Sequence, residues 1–332
     1  MLESAGLSAA AYIDALNANP RSLHRQRLLQ QASNSLVPGE LTRLYLALAK
    51  IGGNELCKLA PYYKYFIAPE RRRRMAQNQL TANHPNKAAQ LYSTPQLGAA
   101  KKRLYILFSG DFGQFFLPGA MVLDILPPGP KDVIIVRSGK NKNYRVGVPT
   151  LGQTPYAVAH SLAARFDVAT YQHVSVLGFS AGGFFAHKVA EFLNAQILIT
   201  FGGVIVSDFL LLPTIVRLGI TAFDPICACR PGGTMRRINV IASKNERDCL
   251  HSDRMHRLRP DMMEAHLINT GQHDVLGRMA KTRTAGVFMR LALAENGQWF
   301  RAINAPFFAY GKFVRYARKA LGLQKLPAQQ RF

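Results

Sequence analysis

The chain has 332 residues, 48% of them apolar, which is enough to bury a sizeable core and excludes a chain that is disordered throughout. No apolar run reaches the ~18 to 20 residues a spanning helix needs, and the N-terminal MLESAGLSAAAYIDALNANP has no charged start followed by an apolar stretch, so the sequence reads as cytoplasmic, able at most to sit peripherally at a membrane surface. The formal charge of +23 gathers at the ends: residues 1–103 hold 15 Lys+Arg against 5 Asp+Glu, residues 281–332 hold 10 against 1, and the middle is nearly balanced.

That asymmetry points to an acidic partner, either an anionic membrane surface or an acidic polysaccharide. Nucleic acid ranks below these, because no helix-turn-helix, zinc or aromatic-basic signature accompanies the charge. Four cysteines, with Cys227 and Cys229 separated by one residue, suit reduced thiols. Nothing calls for a metal or another cofactor.

The first hundred residues read as a basic helical region (1–100). In GELTRLYLALAKIGG, Leu41, Leu44, Tyr45, Leu48 and Ile51 fall at helical spacing, and Gly52 and Gly53 supply a stop. SLHRQRLLQQASNSL and RRRRMAQNQL follow the same pattern, and the Arg71 to Arg74 run is read as a solvated helix face. The polar stretch STPQLGAAKK then marks a boundary.

From Arg103 the pattern changes. RLYILFSG, KDVIIVRS, HVSVLGFS, AQILITFGG, RINVIAS and AHLINT are short, uninterrupted apolar runs, the signature of strands covered on both faces. TPYAVAHSLAARF and AGGFFAHKVAEFLN fit crossover helices. The expected fold is therefore α/β, a doubly wound, mostly parallel sheet over residues 101–285. An apolar insertion, Ser207 to Met235, is a candidate lid, and Phe209 to Ile220 within it a candidate acyl-pocket wall. Residues 286–332 form a basic helical extension, in which Lys312, Arg315, Arg318 and Lys319 can share one side of a helix.

Within HVSVLGFSAGGFFAH, Gly178-Phe179-Ser180-Ala181-Gly182 matches G-x-S-x-G with a strand before it and a helix after it, the context of a nucleophile elbow. A serine hydroxyl needs a base, and the base needs an acid to hold its tautomer. Both follow late strands. KNERDCL after RINVIAS offers Asp248, with Glu246 as the alternative acid, and GQHD after AHLINT offers His273. Asp274 reads as a helix cap and His187 as structural. Two N–H groups must stabilise the oxyanion: Ala181, which follows the nucleophile, and Asp111 or Phe112 in the loop SGDFGQFFLPG.

Strand-loop, elbow, late acid and late histidine together resemble the α/β-hydrolase superfamily over roughly residues 103–285, with Ser180, Asp248 and His273 at its triad positions. The loop departs from the superfamily's usual His-Gly pattern by carrying Asp111, an unfavourable neighbour for an oxyanion unless it points away. YRVGVPTLGQTPYAVAHSLAARF followed by VLGFSAGGFFA also resembles a divergent subgroup linked to bacterial cell-surface glycan biosynthesis. The resemblance implies a serine hydrolase or acyltransferase acting on a small-molecule, glycan or lipid acyl ester or thioester. The competing expectation is a non-catalytic hydrolase-like protein that binds an acidic glycan or anionic membrane through its basic ends.

Overall fold

The structure is a computed structural model that describes residues 8–19, 22–51, 65–66, 68–69, 80–83, 88–95, 97–110, 113, 115–138, 144, 147–203, 235–246, 248–250, 252–253, 264–281 and 284–294. The Arg71 to Arg74 run, Asp111, Phe112, Cys227, Cys229, the insertion Phe209 to Ile220 and the basic segment around Lys312 to Lys319 lie outside the described residues.

Eight strands form one sheet in the order β1-β2-β4-β3-β5-β6-β7-β8. They are β1 (Thr81–Asn83), β2 (Ala89–Ser93), β3 (Arg103–Phe108), β4 (Lys131–Val136), β5 (His173–Phe179), β6 (Ile197–Phe201), β7 (Arg236–Ala242) and β8 (Glu264–Ile268). From β4 through β3 to β8 all pairs are parallel; β1 pairs with β2, and β2 with β4, in antiparallel fashion. The sheet thus begins before Arg103, and Ala99–Lys101 of the polar stretch STPQLGAAKK forms a short 3-10 helix between β2 and β3. In Ala89–Ser93 only Ala89 and Tyr92 are buried and the other three are partly exposed, and the register against β4 runs from Ala89 opposite Val136 to Ser93 opposite Asp132.

Helices cover both faces. On one lie α1 (Ala9–Asn17), α2 (Ser22–Ser35), α3 (Pro38–Ile51), α4 (Gly119–Ile125), α7 (Val275–Lys281) and α8 (Ala285–Ala292), sharing a core with Leu107, Leu177, Ile199 and Val240. On the other lie α5 (Pro155–Phe166) and α6 (Gly182–Phe192), packed on Leu104, Ile106, Ile134, Val176 and Leu198. Odd and even positions of one strand feed different cores, which is why β3, β4 and β5 read as continuous apolar runs. Thr154 caps α5, its hydroxyl accepting from the Ala157 amide, and Pro155 sits in the first turn, where its missing N–H costs nothing. The topology is that of the α/β-hydrolase fold, and the N-terminal helices are built into one of its two cores. Among the described residues no helix is long and apolar enough to cross a membrane.

The parallel register aligns the carboxyl ends of the central strands. Phe108 stands opposite Gly178, Phe179 opposite Phe201, and Ala242 opposite Ile268. Loops leaving β3, β5, β6, β7 and β8 therefore open on one edge, where ligands bind in open α/β sheets.

Candidate active site

Ser180 leaves β5 with φ 47°, in the left-handed region that a non-glycine residue adopts only when its surroundings enforce it. Two hydrogen bonds do so: the Ser180 N–H donates to the Phe201 carbonyl at 2.9 Å, and the Ser180 carbonyl accepts from Gly183 N–H at 2.9 Å. The flanking glycines are required by proximity. A Cβ on Gly178 would come within 2.6 Å of the Ala186 methyl, and one on Gly182 would run into the backbone carbonyls of Phe108 and Ser109. The motif therefore reports helix α6 pressed onto β3 and β5, with Ser180 held at the turn, where it is 9% exposed.

His273 lies in the loop after β8, its Nε2 2.9 Å from the Ser180 hydroxyl and its Nδ1 2.7 Å from Asp248 Oδ1. Asp248 is 2% exposed, and its second oxygen, Oδ2, accepts from the Ala242 N–H at 3.3 Å, which holds the carboxyl group in place. Asp248 on Nδ1 fixes the orientation of the imidazole and turns its Nε2 toward the serine hydroxyl. Glu246, the alternative acid, is exposed, and the bond to His273 comes from Asp248.

The loops carrying acid and base are fastened to each other. Asn245 Oδ1 accepts from the Asp248 N–H at 3.1 Å, and Asn245 Nδ2 donates to the Gly271 carbonyl at 3.3 Å. Lys244 N–H donates to the Thr270 carbonyl at 3.0 Å, and Gln272 N–H to the Thr270 hydroxyl at 3.1 Å. Asp274 accepts from Gly277 N–H at 2.7 Å and so caps α7, as its position before a helix implies; burial pushes its carboxyl above the usual range.

Two neighbours of His273 were not singled out from the sequence. Gly202, just past β6 with φ +56°, backs onto the imidazole, and a Cβ there would stand 2.5 Å from Cε1 and 2.8 Å from Nδ1. Phe116 meets the imidazole edge to face at 5.2 Å between ring centroids. The signal for Gly202 was present in FGG directly after a strand; Phe116 and Asn245 carry no motif.

Of the oxyanion donors expected, Ala181 forms the N-cap of the eleven-residue helix α6, at the positive end of its dipole. Asp111 and Phe112 lie outside the described residues. His187 is buried within α6 beside Arg237 and Lys188; loss of solvent, reinforced by those cations, lowers its pKa to about 3. Among the described residues no group of three or more His, Cys, Asp and Glu side chains is arranged to hold a metal ion.

No family model matches the sequence, and neither does any curated protein. Among solved structures, the chain is similar to 2,6-dihydroxy-pseudo-oxynicotine hydrolase (14% identity, 86% of each chain covered, TM-score 0.45). It is also similar to Est1E from Butyrivibrio proteoclasticus (11% identity, 64% of this chain and 98% of that one, TM-score 0.43). A third is the capsule O-acetyltransferase of Neisseria meningitidis serogroup A (8% identity, 61% of this chain and 92% of that one, TM-score 0.40).

Proposed function

We propose that the protein is a serine hydrolase or acyltransferase that opens a carboxylic ester or thioester through an acyl-enzyme on Ser180. The observation that carries this reading is the unbroken chain of contacts from Asp248 to His273 Nδ1 and from Nε2 to the Ser180 hydroxyl, at 2.7 and 2.9 Å, on a serine held at positive φ. Ser180 Oγ attacks the acyl carbon while His273 Nε2 takes its proton, and Asp248 stabilises the imidazolium. The oxyanion is met by the Ala181 N–H and by a donor from the loop after β3. Collapse expels the alcohol or thiol, protonated by His273. Water, or the hydroxyl of an acceptor such as a sugar, then gives its proton to His273 and takes the acyl group, restoring Ser180.

The charge of +23 supports an anionic substrate, or an anionic surface such as an acidic polysaccharide or membrane, and turnover of an anionic ester that falls with ionic strength more steeply than that of a neutral ester is its check. Rapid mixing with p-nitrophenyl acetate tests the covalent step. The expected result is a burst of about one equivalent of p-nitrophenol per chain, absent from Ser180→Ala. Burst and turnover that persist in Ser180→Ala would refute the reading.

A further inference from the structure

Arg137 stands directly after β4, and its guanidinium reaches three separate parts of the chain. Its NH1 donates to the Gly113 carbonyl, its NH2 to the Asn34 carbonyl at the end of α2 at 3.1 Å, and its Nε and NH2 both reach Gln90 Oε1 on β2 at 3.4 Å. The cation also lies over the ring of Phe115, 5.0 Å from its centroid. All of these described acceptors are neutral, and burial lowers the guanidinium's pKa from its ordinary value. Gly113 and Phe115 belong to the loop after β3, the one that supplies the second oxyanion donor in this fold. Phe115 abuts Phe179, the residue before Ser180, edge to face at 5.1 Å, and the next residue, Phe116, has φ 64° and meets the His273 imidazole. At the far end of this loop, the first residue of α4 is also tied to α2, where the Gly119 N–H donates to Asn34 Oδ1 at 3.3 Å.

We infer that Arg137 is a positioning residue for the reaction proposed above: its fork fixes the loop after β3 against α2 and β2, and through Phe115 and Phe116 sets that loop's distance from Ser180 and His273. The inference rests on the reading of Ser180 as nucleophile. It also gives the N-terminal helices a task, since α2 supplies one of the three anchors. A lysine keeps the charge but cannot grip Gly113, Asn34 and Gln90 together.

The test is inactivation by an alkyl fluorophosphonate, whose P=O occupies the oxyanion position, with kinact and KI resolved for wild type, Arg137→Lys, Arg137→Met and Arg137→Ala. The expected result is a kinact lower by roughly tenfold to a hundredfold in Arg137→Met, below the cost of deleting a donor outright, with KI within about twofold. Arg137→Lys falls between, and millimolar methylguanidinium raises kinact of Arg137→Ala severalfold, which a role confined to stability would not allow. Should Arg137→Met fail to fold, Gln90→Leu decides: it removes one anchor and slows kinact severalfold at unchanged KI. Unchanged kinact in whichever of these variants folds, with wild type labelled normally, overturns the positioning role. Absence of labelling in wild type overturns instead the nucleophile reading on which it rests.

Discussion

Substituting alanine for Gly202 tests how tightly the imidazole is held. The added Cβ would stand 2.5 Å from His273 Cε1 and 2.8 Å from Nδ1, whereas carbon atoms in contact settle near 3.5 to 4.0 Å. The ring must therefore retreat by about 1 Å. Its two hydrogen bonds, 2.7 Å to Asp248 and 2.9 Å to Ser180, cannot both survive such a move. A misplacement of about 1 Å at a reacting centre costs on the order of 10²-fold in rate. Alanine at φ +56° also costs about 1 to 2 kcal/mol in backbone strain, which in a chain of this size lowers Tm by only a few degrees. Steady-state hydrolysis of p-nitrophenyl acetate, beside a thermal melt, separates the two effects: kcat/KM falls about a hundredfold while the protein remains folded at 25 °C. A folded Gly202→Ala protein with half or more of wild-type activity would refute this account of the histidine's seating.

Other expectations follow from the same geometry. Asp248→Asn lowers kcat by about 10⁴-fold because the imidazole loses the partner that fixes its tautomer, whereas Glu246→Gln stays within about twofold; kinetics of the two variants side by side would expose a wrong choice of acid. His187 shapes acid stability. Its folded pKa of about 3 lies below the ordinary 6.5, so the unfolded chain binds the extra proton first and stability falls as pH drops from about 6.5 toward 3. Between pH 8 and pH 5 that amounts to about 2 kcal/mol, and His187→Leu flattens this part of the profile in urea titrations; an equal slope in both proteins would count against it.

The six parallel strands were legible because helices cover both faces, so RLYILF or KDVIIV has no polar face to break the run. The two antiparallel strands were hidden for the opposite reason. Thr81–Asn83 is three exposed residues, and Ala89–Ser93 is short, with two buried residues three apart, so neither carries enough apolar signal to stand out from a helical region. Ser180, Asp248 and His273 could be picked out because each sits at a short offset past a strand end, where the register of a parallel sheet gathers loops on one edge. Gly202, Asn245, Phe116 and Arg137 act through other side chains, and partners such as Gly271 for Asn245 and Asn34 for Arg137 lie 26 and 103 residues away in sequence. FGG after a strand marks a turn at Gly202, and nothing local in KNERD or IIVRS announces the other contacts. Arg137 in particular reads as an ordinary charge at a strand end.

The proposed role of Ser180, a nucleophile activated by His273 and Asp248, is open to a direct test. Its most direct measurement is labelling of the intact protein with a fluorophosphonate probe, followed by peptide mass spectrometry to locate the adduct. A single adduct is expected on Ser180, lost in Ser180→Ala and slowed at least a hundredfold in His273→Ala. Absence of an adduct on the folded wild-type protein, or an adduct on another residue that survives Ser180→Ala, would contradict it.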